Sequence, residues 1–162
     1  MSAIDTGAVF SPCMRYRTKL WRIWDASKPL VLFLLLNPST ADEVRNDPTV
    51  ERCQRRAMMM GFGGLMVANI FALRSTDPAA LSQVEDPVGP GNDEAIVECA
   101  ARAQLVVCGW GTHGSILDRG DAVLELLRQH RFVPHALQRN ADGSPKHPLY
   151  VGYKHAPSPM QA

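Results

Sequence analysis

The chain has 162 residues, 46% of them hydrophobic, and its 17 Lys and Arg against 16 Asp and Glu give a formal net charge of +1. This length and composition predict a single domain over residues 1–162, with frayed ends at 1–12 and 155–162. The balanced charge argues against a strongly electrostatic nucleic-acid binder, although it is compatible with a local basic groove. No segment reaches the about 18 apolar residues of a membrane helix, and no signal-peptide pattern opens the chain. We therefore expect a cytoplasmic protein with no membrane partner.

The cysteine pattern argues against a metal cluster. Cys13, Cys53, Cys99 and Cys108 include no C-x-x-C pair, which favours reduced thiols over a zinc or iron–sulfur site. The Gly-x-x-x-x-Gly-Lys, His-Glu-x-x-His and Gly-x-Gly-x-x-Gly motifs are also missing. We expect no metal and no cofactor.

The first half of the chain predicts three strands and one helix. Residues 16–24 alternate as a strand does, and the apolar run 30–36 indicates a central strand that is buried on both faces. Asp47-Pro48 is typical of a helix start, and Gly61 ends that helix. Residues 64–70 form the next buried strand.

The second half continues the alternation of helices and strands. Residues 78–91 predict a long loop with at most one helical turn, and Asn92 is expected to cap a helix. The remaining predicted elements are a helix to Arg102, a strand over 104–108, a helix over 115–130 and a strand over 132–137. This order predicts an α/β fold, specifically a three-layer α/β/α arrangement with a mostly parallel central sheet of about four strands plus N-terminal edge strands.

Four polar blocks follow four predicted strands. Because the carboxyl ends of parallel strands share one edge, where open α/β sheets bind their ligands, we expect these blocks to converge. The blocks are residues 37–40, 69–74, 110–113 and 147–150.

Two of the polar residues are candidates for catalysis. Asn37 carries an amide that both donates and accepts, which suits it to position a water or read a base edge; the alternative is a turn residue before Pro38. His147 is the strongest acid–base candidate, with a turn histidine as the alternative.

Three further residues are candidates for substrate binding. Ser39 and Thr40 either bind phosphate or cap the next segment, and without a Gly-x-Ser-x-Gly elbow they are not expected to act as nucleophiles. Asn69 ends a buried strand, where its amide needs partners, either a ligand or a structural hydrogen bond.

The last candidates are basic or aromatic. Arg74 either clamps a phosphate or pins a loop, and His113 either meets a ligand or is solvated. Trp110 either stacks on a base or packs in the core. A basic helix face that either is solvated or holds phosphates comprises Arg52, Arg55 and Arg56.

With these blocks in view, the sequence resembles a bacterial and phage family known as domain of unknown function 1643. The resemblance spans most of the chain, and it implies no established activity. It rests on residues 36–42, 46–49, 69–78, 86–90, 110–111 and 146–150.

A more distant resemblance is to the uracil-DNA glycosylase superfamily. Asn37-Pro38 is similar to the water-positioning motif of that superfamily, Asn69 to its base-reading Asn, and His147-Pro148 to its His-Pro motif. Two residues depart from the pattern: Ser39 stands where glycine is common, and Leu149 where a small residue is usual.

This second resemblance implies a uracil-DNA-glycosylase-like fold and hydrolysis of an N-glycosidic bond. Asn69 would hold the base edge, His147 would donate a hydrogen bond to the charge developing on the base, and Asn37 would position the water. The implied partner is a nucleotide or nucleic acid, and the near-neutral charge favours a small nucleotide over duplex DNA. The alternatives are a catalytically silent nucleotide or nucleic-acid binding module on the same fold, hydrolysis by Ser39 with His147, and a partner-binding role.

Overall fold

The computed structural model describes residues 4–160, which form seven β-strands, three α-helices and three short 3-10 segments. The strands are β1 (Asp5–Phe10), β2 (Arg17–Ile23), β3 (Leu30–Leu35), β4 (Gly64–Asn69), β5 (Leu105–Cys108), β6 (Pro134–Ala136) and β7 (Ser158–Pro159). The α-helices are α1 (Pro48–Met59), α2 (Asn92–Arg102) and α3 (Arg119–Gln129). The 3-10 segments are Pro78–Ser82, Thr112–Asp118 and Pro148–Tyr150.

All seven strands join one mixed sheet in the order β1-β2-β4-β3-β5-β6-β7. Three pairs of neighbouring strands are parallel: β3–β4, β3–β5 and β5–β6. The other three pairs, β1–β2, β2–β4 and β6–β7, are antiparallel. The predicted α/β fold is therefore confirmed. The sheet is mixed rather than mostly parallel, because edge strands extend it antiparallel on both sides.

The apolar run forms the central strand, as predicted. β3 aligns Leu35 with Asn69 on β4, and Leu34 with Cys108 on β5. Its side chains alternate between two core clusters: Leu32 and Leu34 join the cluster that contains residues of α2 and α3, and Val31 and Phe33 join the one that contains residues of α1. Because both faces are covered, β3 tolerates an unbroken apolar sequence.

The helix α1 begins and ends where its sequence signals predict. The Asp47 carboxylate accepts a hydrogen bond from the Val50 N–H at 2.8 Å, and Pro48 occupies the first helical position. The apolar residues Val50, Cys53 and Ala57 are fully buried on one side. Gly61, with φ of 86°, follows the last turn in the left-handed conformation that glycine accommodates.

The helix predicted up to Arg102 is confirmed, whereas the capping role predicted for Asn92 and the start predicted for the next helix are wrong. Gly91, at φ 71°, occupies the cap position of α2, and Asn92 instead donates its amide to the carbonyl oxygens of Asn69 and Ile70. The helix predicted over 115–130 is interrupted, because Leu117 and Asp118 have φ of 54° and 53°; α3 begins only after them.

Each of the two terminal segments that were expected to be frayed contains a strand. Residues 5–10 form β1, which pairs with β2, and β7 pairs with β6, next to a buried Met160. Residues 1–3 and 161–162 lie outside the described residues. In the described part of the chain no helix has the length and apolarity that a membrane crossing needs, and all four cysteines are free thiols.

A buried arginine fixes the segment that leads from β3 into α1. Arg22 on β2 is only 2% exposed, and its guanidinium donates to the carbonyl oxygens of Asp42 at 2.7 Å and Arg45 at 3.1 Å. Its Nε donates to the side-chain oxygen of Asn46 at 2.9 Å. These hydrogen bonds fix the position of a loop that has no regular secondary structure.

The buried central strand leads to a stability prediction. Replacing the fully buried Leu34 by Ala removes packing on β3 and leaves a cavity, so Leu34→Ala lowers the free energy of unfolding by about 2–5 kcal/mol. Val44→Ala, at a position 71% exposed, changes it by less than about 0.5 kcal/mol. Urea denaturation measures both, and equal losses would contradict the assigned core.

Candidate functional site

A cleft of about 540 Å³ lies at the carboxyl ends of β3, β4 and β5. It brings together residues from three of the four polar blocks, and the fourth block supplies a residue to its floor. Its lining includes Asn37, Ser39, Trp110, Thr112, His113, His147, Leu149 and Tyr150. The predicted convergence of the polar blocks is thus seen in the structure. Further lining residues that the sequence analysis missed are Thr49, Ser75, Thr76, Asn140 and Lys146.

A smaller chamber of about 40 Å³ forms the floor of this cleft. Asn37, Ser39, Thr49 and His147 line both cavities, so the two are adjacent. The chamber is also lined by Arg17, Pro38, Asp47 and Asn69. It has room for one or a few water molecules, or for one carbonyl group, but not for an aromatic ring.

The Asn37 side chain links the segment after β3 to the segment after β4, and its oxygen accepts no hydrogen bond from the described residues. Its amide nitrogen donates to the carbonyl oxygens of Ser75 at 2.9 Å and Pro38 at 3.2 Å. These bonds fix the orientation of the amide, because only the nitrogen can donate. Among the described residues no donor reaches the Asn37 Oδ1, which is therefore available as an acceptor in the cleft or the chamber.

His147 is held as a neutral imidazole that carries its proton on Nε2. Burial lowers the pKa of His147 below its usual value, and the Asp47 carboxylate only partly opposes this. The ring Nδ1 accepts a hydrogen bond from the Leu149 N–H at 3.2 Å, and an accepting Nδ1 carries no proton in the neutral ring. The remaining nitrogen, Nε2, is consequently a donor.

The segment that carries His147 is fixed from several sides. The Gly111 N–H donates to the Pro145 carbonyl at 2.8 Å, and the Arg52 Nε donates to the Pro148 carbonyl at 3.0 Å. Gly109 packs directly against Pro148, since a Cβ there would lie 2.8 Å from the proline Cδ. His147 therefore has a defined position although no strand or α-helix carries it.

Asn69 faces the chamber and is bound by a buried arginine. The Arg17 guanidinium, 2% exposed, donates to the Asn69 Oδ1 at 3.3 Å and to the Ala41 carbonyl at 3.1 Å. Burial lowers the pKa of Arg17 to about 10, although Asp47 raises it, so the side chain stays charged at neutral pH. Arg17 could not be identified from the sequence, because an arginine in an alternating strand has the same pattern whether it faces solvent or a polar chamber.

The other predicted site residues lie in different places. Thr40 is exposed, outside the lining of both cavities. Arg74 lies away from the cleft: it donates to the Met14 carbonyl at 2.9 Å and stands 4.7 Å above the Phe10 ring. Trp110 belongs to the core cluster and also lines the cleft. His113 is exposed at the cleft.

The arginines of α1 hold the loop behind His147. Arg56 donates to the Val151 carbonyl at 2.9 Å, and Arg52 donates to the same oxygen at 2.8 Å. Both guanidinium groups lie over the Tyr153 ring, at 4.4 Å for Arg52 and 5.2 Å for Arg56. Two of the three arginines are thus structural anchors, and Arg55 alone is exposed.

The cleft favours a neutral or anionic ligand. No Asp or Glu occurs among the described residues that line it, and Lys146 supplies a positive charge. Among residues 4–160, no group of three or more His, Cys, Asp or Glu is placed to hold a metal ion. The polar side chains that line the cleft include amides, hydroxyls, imidazoles and one ammonium group.

A family model described as "Protein of unknown function (DUF1643)" matches residues 15–149. The chain belongs to this family. The matched range contains β2 to β6 and all four polar blocks apart from Tyr150. The cleft of this DUF1643 protein is therefore built almost wholly from the sequence that the family model covers. No match was found among the curated proteins or the solved structures. The resemblance to uracil-DNA glycosylases therefore stays a prediction.

The buried state of His147 generates a pH prediction. Because its folded-state pKa lies below the unfolded value of about 6.5, the folded protein binds fewer protons than the unfolded chain. The stabilisation is fully present above about pH 6.5 and is lost as the pH falls through the depressed pKa. NMR titration of the His147 ring should give a midpoint below about 6.5; a midpoint at or above that value would contradict it.

The control for this titration is His147→Asn, whose side-chain oxygen can still accept from the Leu149 N–H. The free energy of unfolding of the variant should fall less than that of the wild type between about pH 7 and about pH 5.

The arginines of α1 give a matched pair of variants. Arg56→Met leaves the carbonyl oxygens of Gly152 and His155 without their guanidinium donor, which should lower the free energy of unfolding by about 1–3 kcal/mol. Arg55→Met, one position earlier and exposed, should change it by less than about 0.5 kcal/mol. Thermal and urea denaturation of both proteins test this, and similar losses in the two would refute the anchoring role.

Proposed function

We propose that the cleft binds a nucleotide or nucleobase and hydrolyses its N-glycosidic bond, on a three-layer α/β/α fold that resembles uracil-DNA glycosylases. One observation carries the proposal: Asn37, Asn69 and His147, which come from three different polar blocks, line one chamber at the floor of one cleft. Had Asn37 and His147 been far apart, the resemblance would have lost its chemical meaning.

The state of His147 fits the task of stabilising a departing base. As the bond between the sugar carbon and the base nitrogen breaks, the base takes the electron pair and becomes anionic. A neutral imidazole with its proton on Nε2 donates a hydrogen bond to that anion. The lowered pKa keeps the ring in this form without a full positive charge, so it acts as a fixed donor.

Asn37 supplies an acceptor for the attacking water. Its Oδ1 is open and its amide is fixed by the carbonyl oxygens of Pro38 and Ser75, so a water bound there is oriented. An amide cannot take a proton, and both oxygens of Asp47 accept from backbone N–H groups. The proposed reaction is therefore dissociative: the base departs first, the water oxygen bonds to the sugar carbon, and its proton passes to the base anion or to solvent.

The size and charge of the cleft favour a small substrate. About 540 Å³ accommodates a nucleotide, and Lys146 lies where a phosphate would be neutralised. Duplex DNA draws on many phosphate contacts, which need several Lys or Arg side chains around the site. In this protein Arg52, Arg56 and Arg74 are committed to backbone carbonyl oxygens instead.

A second candidate function is a catalytically silent nucleotide-binding module. The specific observation in its favour is the absence of a carboxylate from the described lining residues of the cleft, while the Asp47 carboxylate of the chamber is bonded to the N–H groups of Ala41 and Val50. Binding without base release is the outcome that separates this candidate from the enzyme.

The test exposes mononucleotides and end-labelled oligonucleotides, in single and double strands, to the purified protein. The panel carries uracil, hypoxanthine, thymine–guanine mismatches and 5-modified pyrimidines, and abasic sites are scored after alkali. We expect base release by the wild type, with a loss of about 10²–10³-fold in His147→Ala. A comparable loss is expected in Asn37→Ala, which removes the water acceptor.

Arg55→Met is the control variant, since its exposed side chain lies on α1 outside both cavities, and it should release base at the wild-type rate. Base release that survives unchanged in both Ala variants would contradict the assigned roles. Binding of nucleotides with no base release from any substrate would select the silent module.

A further inference from the structure

A second pocket, of about 260 Å³, lies next to the cleft. Trp110 and Thr112 line both cavities, so the two are adjacent. The other lining residues of the second pocket lie in the segments 114–124 and 139–145 and at Met160, and none of them lines the cleft. The residues that act in the proposed reaction lie outside this pocket, so its presence needs a separate explanation.

The indole N–H of Trp110 is a buried donor without a partner. Trp110 is only 3% exposed, and its Nε1 donates to no described residue. The other two tryptophans differ, because the indole of Trp21 donates to the Asp5 carboxylate and that of Trp24 to the Phe62 carbonyl, each at 3.0 Å. A buried tryptophan N–H usually finds an acceptor, so the missing partner of Trp110 points to a ligand.

Two glycines show into which cavity this N–H opens. A Cβ would lie 2.7 Å from the Trp110 Nε1 if it were built on Gly114, and 2.8 Å from it if it were built on Gly120. Both glycines line the second pocket and neither lines the cleft. Among the described residues, the side-chain atoms that are both fully buried and unpartnered belong to three arginines and one asparagine, so Nε1 keeps an open surface. The N–H is therefore presented to the second pocket.

Charged side chains with unused hydrogen-bonding capacity line the same pocket. Three carboxylates, those of Asp118, Asp121 and Asp142, accompany the single cation Arg139, and within the described part of the chain none of the four forms an ion pair. Asp142 accepts from the N–H and the hydroxyl of Ser144 with one oxygen only. Arg139 donates its Nε to a backbone carbonyl and keeps its other donors. The pocket thus offers both acceptors and donors to a ligand.

The arrangement of these groups excludes several ligand classes. Three carboxylates against one guanidinium disfavour a phosphate or another anion. An organic ammonium would suit the carboxylates, but it has no acceptor for the indole N–H. Among residues 4–160, no group of three or more His, Cys, Asp or Glu is placed to bind a metal ion. A hydroxyl group, in contrast, accepts from the N–H and donates to a carboxylate at the same time.

We propose that the second pocket binds a neutral polyhydroxylated ring, a sugar, with one hydroxyl group accepting from the Trp110 N–H while the hydroxyl protons of the ring are donated to the carboxylates. A volume of about 260 Å³ lies below the roughly 300–1,000 Å³ of sites for drug-sized ligands, so it suits one small ring rather than a nucleotide. The sugar site is independent of the proposed function, because no residue with a role in the proposed reaction lines it.

The indole N–H signals of the three tryptophans provide the test. In a proton–nitrogen correlation spectrum, Trp110→Phe identifies the signal of Trp110 by removing it. Titration of the wild type with D-ribose or with D-glucose should shift that signal saturably, with a Kd of about 1–10 mM for the better sugar. The signals of Trp21 and Trp24, whose N–H groups already have acceptors, should stay in place. No saturable shift with either sugar overturns the proposal.

Three further probes separate a sugar from other occupants. Ethanolamine carries an ammonium group, inorganic phosphate carries negative charge, and tetrahydrofurfuryl alcohol is a small ring with a single hydroxyl group. Each should bind at least about tenfold more weakly than the better sugar, and a probe that binds more tightly than this limit overturns the assigned ligand class. Sugar binding should persist in about 0.5 M NaCl, because salt does not screen the contacts of a neutral ligand as it screens ion pairs.

Asp118→Asn and Asp121→Asn remove two charges and keep the shape of the side chains. Asp118 has φ of 53°, which asparagine tolerates as aspartate does, so the substitution adds no strain. The double variant should weaken sugar binding by about tenfold or more, since hydrogen bonds to a charged acceptor are the stronger ones. Glu125→Gln, exposed on α3 and outside the pocket, is the control and should bind sugar as the wild type does. Equal affinities of the double variant and the control overturn the role of the carboxylates.

Discussion

The parallel pairing of β3 with β4 and β5 is the constraint on which the candidate site depends. Aligning Leu35 with Asn69 and Leu34 with Cys108 makes three strands end at one edge, so that the residues after them meet. The pairing is enforced by hydrophobic burial on both faces of β3, where a slip of one residue would exchange the two sets of core side chains. The position of Asn37 relative to Asn69 thus follows from apolar packing several residues away.

Much of the fold could be predicted because its signals are local. The apolar run of β3 and the Asp47-Pro48 start of α1 act over a few residues, and both appear in the structure as expected. β1 and the interruption at Leu117 and Asp118 could not be predicted in this way. An edge strand with a mostly exposed sequence gains its order from its partner β2, and a backbone turn of non-glycine residues carries no composition signal.

The location of the candidate site could be predicted from the sequence, whereas several of the residues that build it could not. Asn37, Asn69 and His147 stand at strand ends or before a proline, where sequence alone indicates a ligand edge. Arg17, which contacts Asn69, lies on a strand antiparallel to β4 and comes 52 residues earlier in the chain. Whether an arginine anchors a loop, as Arg52 and Arg56 do, depends on carbonyl oxygens about a hundred residues away that no local pattern reveals.

Arginine is the means by which this fold fixes loops that have no regular structure. Arg22 holds the segment before α1, and Arg56 with Arg52 holds the segment after His147, in each case through several backbone carbonyl oxygens. One guanidinium offers five donors in a rigid plane, so it can satisfy more carbonyl groups than a lysine at the same desolvation cost. Arg17 spends one donor on a side-chain amide that faces a cavity. Like Arg22, which donates to the side-chain oxygen of Asn46, Arg17 determines which end of an amide faces it, because a guanidinium has donors and no acceptor. Arg17 differs from Arg22 in that the amide it orients lines the chamber.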